Sequence, residues 1–112
     1  RKTDNIIRGG ENISCPEVVS GIYGCSAVAE CSVFGLPDER FGEIVGAVVR
    51  FKADEPSTEA ALRDYLGGEL AAYKIPARIW VVTEPLPVLG TGKLDRVGLR
   101  NAYRQRHLQE AG

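Results

Sequence analysis

Residues 27–36 read Ala27-Val28-Ala29-Glu30-Cys31-Ser32-Val33-Phe34-Gly35-Leu36, and residues 43–51 read Glu43-Ile44-Val45-Gly46-Ala47-Val48-Val49-Arg50-Phe51. Both segments are rich in Val, Ile and Phe, side chains that suit a pleated and largely buried surface, so each is expected to be a strand. Between them stands Pro37-Asp38-Glu39-Arg40, which has the chemistry of a turn.

Outward from this pair the pattern alternates between helix and strand. Ile6-Ile7-Arg8 reads as a short strand, turned by Gly9-Gly10 into Asn12-Ile13-Ser14. Ser14-x-x-Glu17 is a capping box, and Pro16 is tolerated in a first helical turn. Val18/Ile22 and Val19/Tyr23 recur at i, i+4, which gives a short helix its buried face, and Gly24 can end it. Pro56-Ser57-Thr58 caps a second helix with Leu62, Tyr65, Leu66 and Leu70 on one side, weakened by Gly67-Gly68. Pro76 closes that segment, and 78–83 is a third strand. Residues 84–93 carry two Pro and two Gly and read as a loop. Asp95 can cap a last helix, with Leu99, Ala102 and Tyr103 inward and Arg96, Arg100, Arg104 and Arg106 outward. The expected class is α+β: a small sheet of about three strands with flanking helices, plus an N-terminal β-hairpin.

The chain has 112 residues, 44% apolar and 26% charged, with a net charge of −1. That bounds one soluble domain with one modest core and gives no general affinity for nucleic acid or anionic membrane. No apolar run approaches the length of a transmembrane helix and no leader is visible, so a cytoplasmic location is expected. A start at Arg1 and the absence of Met lead to the expectation of a segment of a larger protein. Cys15, Cys25 and Cys31 are odd in number, with no C-x-x-C pair, and the lone His107 reads as part of a solvated tail. Buried or half-buried thiols are expected, and no metal site.

Leu89-Gly90-Thr91-Gly92-Lys93 invites comparison with a phosphate-binding P-loop, G-x-x-x-x-G-K-[ST]. Pro87 stands where its first Gly belongs and Leu94 where its Ser/Thr belongs, so that reading fails. What remains is a lysine on a glycine-containing loop. It is either a solvated turn residue or a compact cation carried into another surface's cleft.

The surrounding sequence resembles a known family. Leu86-Pro87, then Gly92-Lys93-Leu94-Asp95-Arg96, with Leu99-Arg100 beyond, is similar to the last core motif of the adenylate-forming (AMP-binding) superfamily. Acyl-CoA synthetases, peptide-synthetase adenylation domains and luciferases belong to it. Residues 1–13, from Arg1-Lys2-Thr3-Asp4 through Gly9-Gly10-Glu11-Asn12-Ile13, resemble the motif that joins that family's large and small domains. Residues 35–43 and Tyr73-Lys74-Ile75-Pro76 supply two further blocks in the same order.

The resemblance implies that residues 1–112 are the single C-terminal, mobile lid domain of a two-domain AMP-forming acyl-CoA ligase of the fatty-acid-CoA type. The large N-terminal ATP- and acyl-binding domain lies outside the sequence. The implied reaction takes ATP, a carboxylic acid and CoA to acyl-CoA, AMP and pyrophosphate, with Mg2+ held by the large domain, and the segment alone is expected to be inactive. Lys93 is implied as the catalytic cation between carboxylate and α-phosphate, Arg1 as a contact to the nucleotide ribose, and Asp4 as the hinge. Gly9 and Gly10 are implied to line the pantetheine channel, or they form a plain hairpin turn. Phe41 stacks on the CoA adenine or packs at a strand edge. Lys74 meets CoA phosphates or is solvated. The implied partners are the chain's own large domain and these small molecules. Two alternatives stand: a subdomain that loads a carrier-protein phosphopantetheine, and a stand-alone binding module.

Overall fold

The computed structural model describes residues 5–111, and its architecture is set at one turn. The Asp38 carboxylate accepts the N–H of Phe41 at 2.8 Å and of Arg40 at 3.1 Å, which is an Asx turn. Gly42 follows at φ +81°, a conformation that side chains with a Cβ rarely adopt. This folds β3 (Val28–Asp38) antiparallel onto β4 (Gly42–Phe51), in one register from Asp38↔Gly42 to Glu30↔Arg50, with a shift before the last pair, Val28↔Phe51.

Pro37, expected in the turn, is instead in β3 opposite Glu43. Among the described strands β3 pairs only with β4, and an edge strand has N–H positions its ladder does not need. The open edge is blunted by side chains. Tyr23 Oη accepts the Cys31 N–H at 3.2 Å, Arg104 Nε donates to the Gly35 carbonyl at 3.0 Å, and His107 Nε2 lies 3.0 Å from the Pro37 carbonyl. Such occupation keeps a strand edge from pairing with foreign chains.

The other side of β4 is shared. β5 (Arg78–Val82) runs parallel to it from Gly46↔Arg78 to Arg50↔Val82. β1 (Asn5–Arg8) meets it at Arg8↔Gly42 and pairs antiparallel with β2 (Glu11–Ser14). The expected three strands and N-terminal hairpin therefore form one five-stranded sheet.

Side chains alternate across this sheet. Cys31, Val33, Val45, Ala47, Val49 and Ile79 are buried on one face with Val18 and Ile22 of α1 (Cys15–Tyr23) and Leu62 and Leu66 of α2 (Glu59–Gly67). Phe34, Leu36, Ile44, Val48 and Trp80 are buried on the other with Leu86 and with Leu99 of α3 (Arg96–Ala111). There Tyr103 packs against the rings of Trp80 and Phe34, with centroids 4.9 and 5.9 Å away. Ser14 Oγ and Thr58 Oγ1 accept from Glu17 and Ala61 N–H groups, so both helices carry the expected side-chain caps.

Two faces differ from expectation. In α1 the buried residues are Cys15, Val18 and Ile22, while Val19 is half-buried and Tyr23 is exposed, its hydroxyl spent on the sheet edge. In α3 Ala102 is exposed, Arg100 and Arg104 are half-buried, and His107 is buried. Steps of four from Leu99 reach Tyr103 and then His107, so the histidine ends the apolar stripe. Its Nδ1 lies 3.1 Å from Arg78 Nη1. A guanidinium only donates, so Nδ1 accepts and Nε2 carries the proton to Pro37.

Burial pushes the Cys31 thiol from its ordinary 9.0 up to about 12, partly offset by its hydrogen bond with Tyr23. The unfolded chain therefore loses this proton first. The stabilising contribution is fully present below pH 9.0 and is lost as pH rises toward about 12. Denaturant unfolding at a series of alkaline pH values should show stability falling by up to about 1.4 kcal/mol per pH unit. Cys31→Ala should flatten that slope; an unchanged slope would contradict this assignment.

Candidate functional site

The β1–β2 turn is made by Gly9 at φ +55° and Gly10 at φ +89°. Gly9 N–H donates to the Phe41 carbonyl at 2.8 Å, and a Cβ at Gly9 would stand 3.1 Å from Phe41 Cδ1. Around Gly10 the Cβ position is open, so its backbone is approachable. Phe41 is half-buried and rests partly on the α3-side core. The Arg8 guanidinium lies 3.9 Å from its ring centroid and that of Arg40 lies 5.1 Å away, each a cation–π contact of about 0.5–1 kcal/mol when exposed. The fold thus brings Gly9, Gly10 and Phe41 together, 31 positions apart in sequence or more. It adds Arg8 and Arg40, which lie inside two of the quoted motifs but carry no expected role there.

Lys93 sits elsewhere. Val88 and Leu94 form an antiparallel bridge, Leu89 N–H donates to the Lys93 carbonyl at 2.7 Å, and Gly92 N–H to the Leu89 carbonyl at 2.8 Å. The expected loop is a narrow hairpin with Gly92 at φ +88°. Leu86 in the core and half-buried Leu94 packed against it tie it to the domain, and Asp95 N–H on the Pro87 carbonyl closes its base. Asp95 also accepts the Gly98 N–H at 3.0 Å, as a cap of α3. Lys93 is exposed, and its ammonium makes no ion pair within 4 Å among the described residues.

Lys74 ends a 3-10 turn, Ala72–Lys74, and its Nζ lies 3.0 and 2.9 Å from the two oxygens of Glu17. It is half-buried rather than solvated. The hydrogen bond it donates to Glu17 is the main cause holding its ammonium above the usual lysine range. Arg1 and Asp4 lie outside the described residues. Among those described, no group of three or more His, Cys, Asp or Glu side chains converges as a metal site, so no Mg2+ ligand is assigned here. No helix is long and apolar enough to cross a membrane.

A further constellation ties β1 to the sheet edge. Glu43 Oε1 accepts the Ile7 N–H at 2.9 Å, while Oε2 reaches Arg104 Nη2 at 3.5 Å. The carboxylate passes over Gly35, where a Cβ would come within 2.5 Å of Oε2. Beside it, a groove of about 710 Å³ separates β1 and β3 from the Lys93 hairpin and α3.

Comparison with known proteins places this geometry. Residues 17–93 match the AMP-binding enzyme C-terminal domain family. The chain is 42% identical over 103 residues to the long-chain-fatty-acid–CoA ligase FadD13 of Mycobacterium tuberculosis, covering 92% of this chain and 20% of that protein. It is 37% identical over 109 residues to the mitochondrial medium-chain acyl-CoA ligase ACSF2 of Rattus norvegicus, covering 97% and 17%. The solved structure of a Mycobacterium tuberculosis fatty acyl CoA synthetase superposes with a TM-score of 0.83 at 40% identity, covering 95% of this chain and 21% of that one. The chain belongs to the AMP-binding enzyme C-terminal domain family and spans about one fifth of the length of these relatives.

Gly9→Ala should cost about 1–2 kcal/mol of stability, the price of a Cβ in a left-handed conformation. Part of that cost should vanish in a Phe41→Ala background, a coupling of about 0.5 kcal/mol or more in a double-mutant cycle. Strict additivity by urea denaturation would show that ring and turn do not press on one another.

Proposed function

We propose that this member of the AMP-binding enzyme C-terminal domain family acts as the mobile small domain of an AMP-forming acyl-CoA ligase, one that works in the cytoplasm with a larger ATP- and acyl-binding domain. Lys93 carries the reading: an exposed ammonium without an ion-pair partner among the described residues, on a hairpin fixed at both ends. Such a group is pre-placed at no cost to internal pairing.

In the first step the carboxylate oxygen of the acid attacks the α-phosphorus of ATP, and pyrophosphate leaves. Two anions must meet, and charge develops on the phosphoryl oxygens. Lys93 lies between them and neutralises that charge, the role of a pre-organised cation in phosphoryl chemistry. Arg1 contacts the ribose. Magnesium would be held by the large domain and the phosphates of ATP, where it would offset phosphate charge.

In the second step the domain turns about Asp4 and presents Gly9, Gly10 and Phe41. The thiol of CoA attacks the acyl carbon and AMP leaves. The open backbone at Gly10 admits the pantetheine arm. The Phe41 ring receives the adenine, and Arg8 and Arg40 stand beside it for the phosphates. Lys74 adds a cation whose charge Glu17 shares. The acid itself is selected by the large domain. Fatty acids fit the names of the relatives quoted above, and free CoA is favoured over a carrier protein by the same likeness.

In the intact enzyme Lys93→Ala should slow pyrophosphate release in a single turnover by about 100- to 1,000-fold, and Lys93→Arg should recover little of it. Asp4→Pro should spare adenylation and impair thioester formation, because proline fixes φ where a hinge has to turn. The 112-residue chain alone should make no acyl-CoA. Normal adenylation by Lys93→Ala, or acyl-CoA synthesis by the isolated chain, would overturn the proposal.

A further inference from the structure

The groove beside the Lys93 hairpin holds charge that neither step above uses. Arg96, Arg100 and Arg104 all line it, against two carboxylates, Asp95 and Glu43. Spacings of four place the three arginines along one face of α3. Like charges at i, i+4 repel, so the arrangement is not explained by helix stability.

Both carboxylates have other partners as well. Asp95 accepts from the helix N–H at Gly98, and Glu43 is shared between Ile7 N–H and Arg104. Arg104 is engaged with Glu43 and with the Gly35 carbonyl. Arg100 differs: its Nε is buried and has no hydrogen-bond partner among the described residues. A buried unpaired N–H is costly, more so on a charged group, and such an atom calls for a missing partner.

We infer that this groove is a binding site for a phosphoryl anion, held principally by Arg100 with Arg96 and Arg104 beside it. The guanidinium fork matches phosphate oxygens in a plane. A tetrahedral phosphoryl group offers oxygens to guanidinium groups on successive turns at once, which a flat carboxylate does less well. Ile7, Leu89 and Val97 are exposed at 47%, 48% and 58% and line the same groove, so an ester with an apolar or aromatic body would cover them. The site is separate from the Gly9–Phe41 cluster, none of whose members lines it. The inference stands on Arg100 and not on the role proposed for Lys93.

The test is an NMR titration of the uniformly 15N-labelled 112-residue chain with inorganic pyrophosphate, inorganic phosphate and AMP in separate arms, and with citrate as a polycarboxylate control. Saturable shifts are expected at the Arg100 Nε–H and at the Gly35 and Val97 amides. The affinity should fall at least about tenfold in Arg100→Gln and be only partly restored in Arg100→Lys, which keeps charge but lacks the fork. Tighter binding of AMP than of phosphate would assign an ester, and the reverse order with pyrophosphate strongest an inorganic anion. Amide dispersion of each free variant shows whether it has folded, and Arg100→Lys serves if Arg100→Gln has not. Unchanged affinity in the folded variants, shifts confined to the Gly9–Phe41 turn, absence of saturation in every phosphoryl arm, or equal binding of citrate would each overturn the inference.

Discussion

Asp38 folds the chain back through two hydrogen bonds, and Gly42 completes the reversal in a conformation few residues tolerate. The register of β3 on β4 follows from that turn. A slip of one residue would carry every side chain to the opposite face. Val33, Val45 and Ala47 would leave α1 and α2, and Phe34, Leu36 and Val48 would leave α3. The same register sets Glu43 diagonally over Gly35, where its carboxylate holds β1 by the Ile7 N–H. It also brings Phe41 under the Gly9 turn through one backbone hydrogen bond. The Glu43 constellation and the contact of Phe41 with the glycine turn thus depend on one ladder.

The strands were legible because Val, Ile and Phe concentrate in 27–36, 43–51 and 78–83, and because both faces of this small sheet are covered. The turn was read too early. Proline is a good turn former, but here the carboxylate of Asp38 does the turning, and Pro37 loses nothing on an edge strand. His107 was misread because a lone polar residue near a chain end is usually solvated. The four-residue steps from Leu99 through Tyr103 already pointed inward, and the partners that make burial tolerable, Pro37 and Arg78, are 70 and 29 positions away. Arg100 and Arg104 directly follow Leu99 and Tyr103 on the helix. Their long stems can follow the apolar stripe inward, which a binary polar count does not register.

The candidate sites were legible to a different degree. Gly9, Gly10, Phe41, Lys74 and Lys93 could be singled out through motif order, whereas their surroundings needed the fold. The hydrogen bond from Gly9 to Phe41, the Arg8 contact on its ring and the Glu17 partner of Lys74 all join distant segments. Lys93 projects from a pinned hairpin, and the glycine turn and Phe41 make a second place with no contact to it among those described. Division of labour within one rigid domain is the physical content of the proposal. Each step uses groups the other leaves idle, so reorienting the domain exchanges one set for the other without refolding.

That division is tested most directly by bypassing the first step. Intact enzyme carrying Lys93→Ala would be given preformed acyl-adenylate and CoA, and the rate of thioester formation would be followed in a single turnover. The account predicts a rate close to that of the unaltered enzyme, since the Gly9–Gly10–Phe41 surface is untouched. A rate reduced as severely as adenylation itself would contradict it, because Lys93 would then serve both steps and the two places would not be separate.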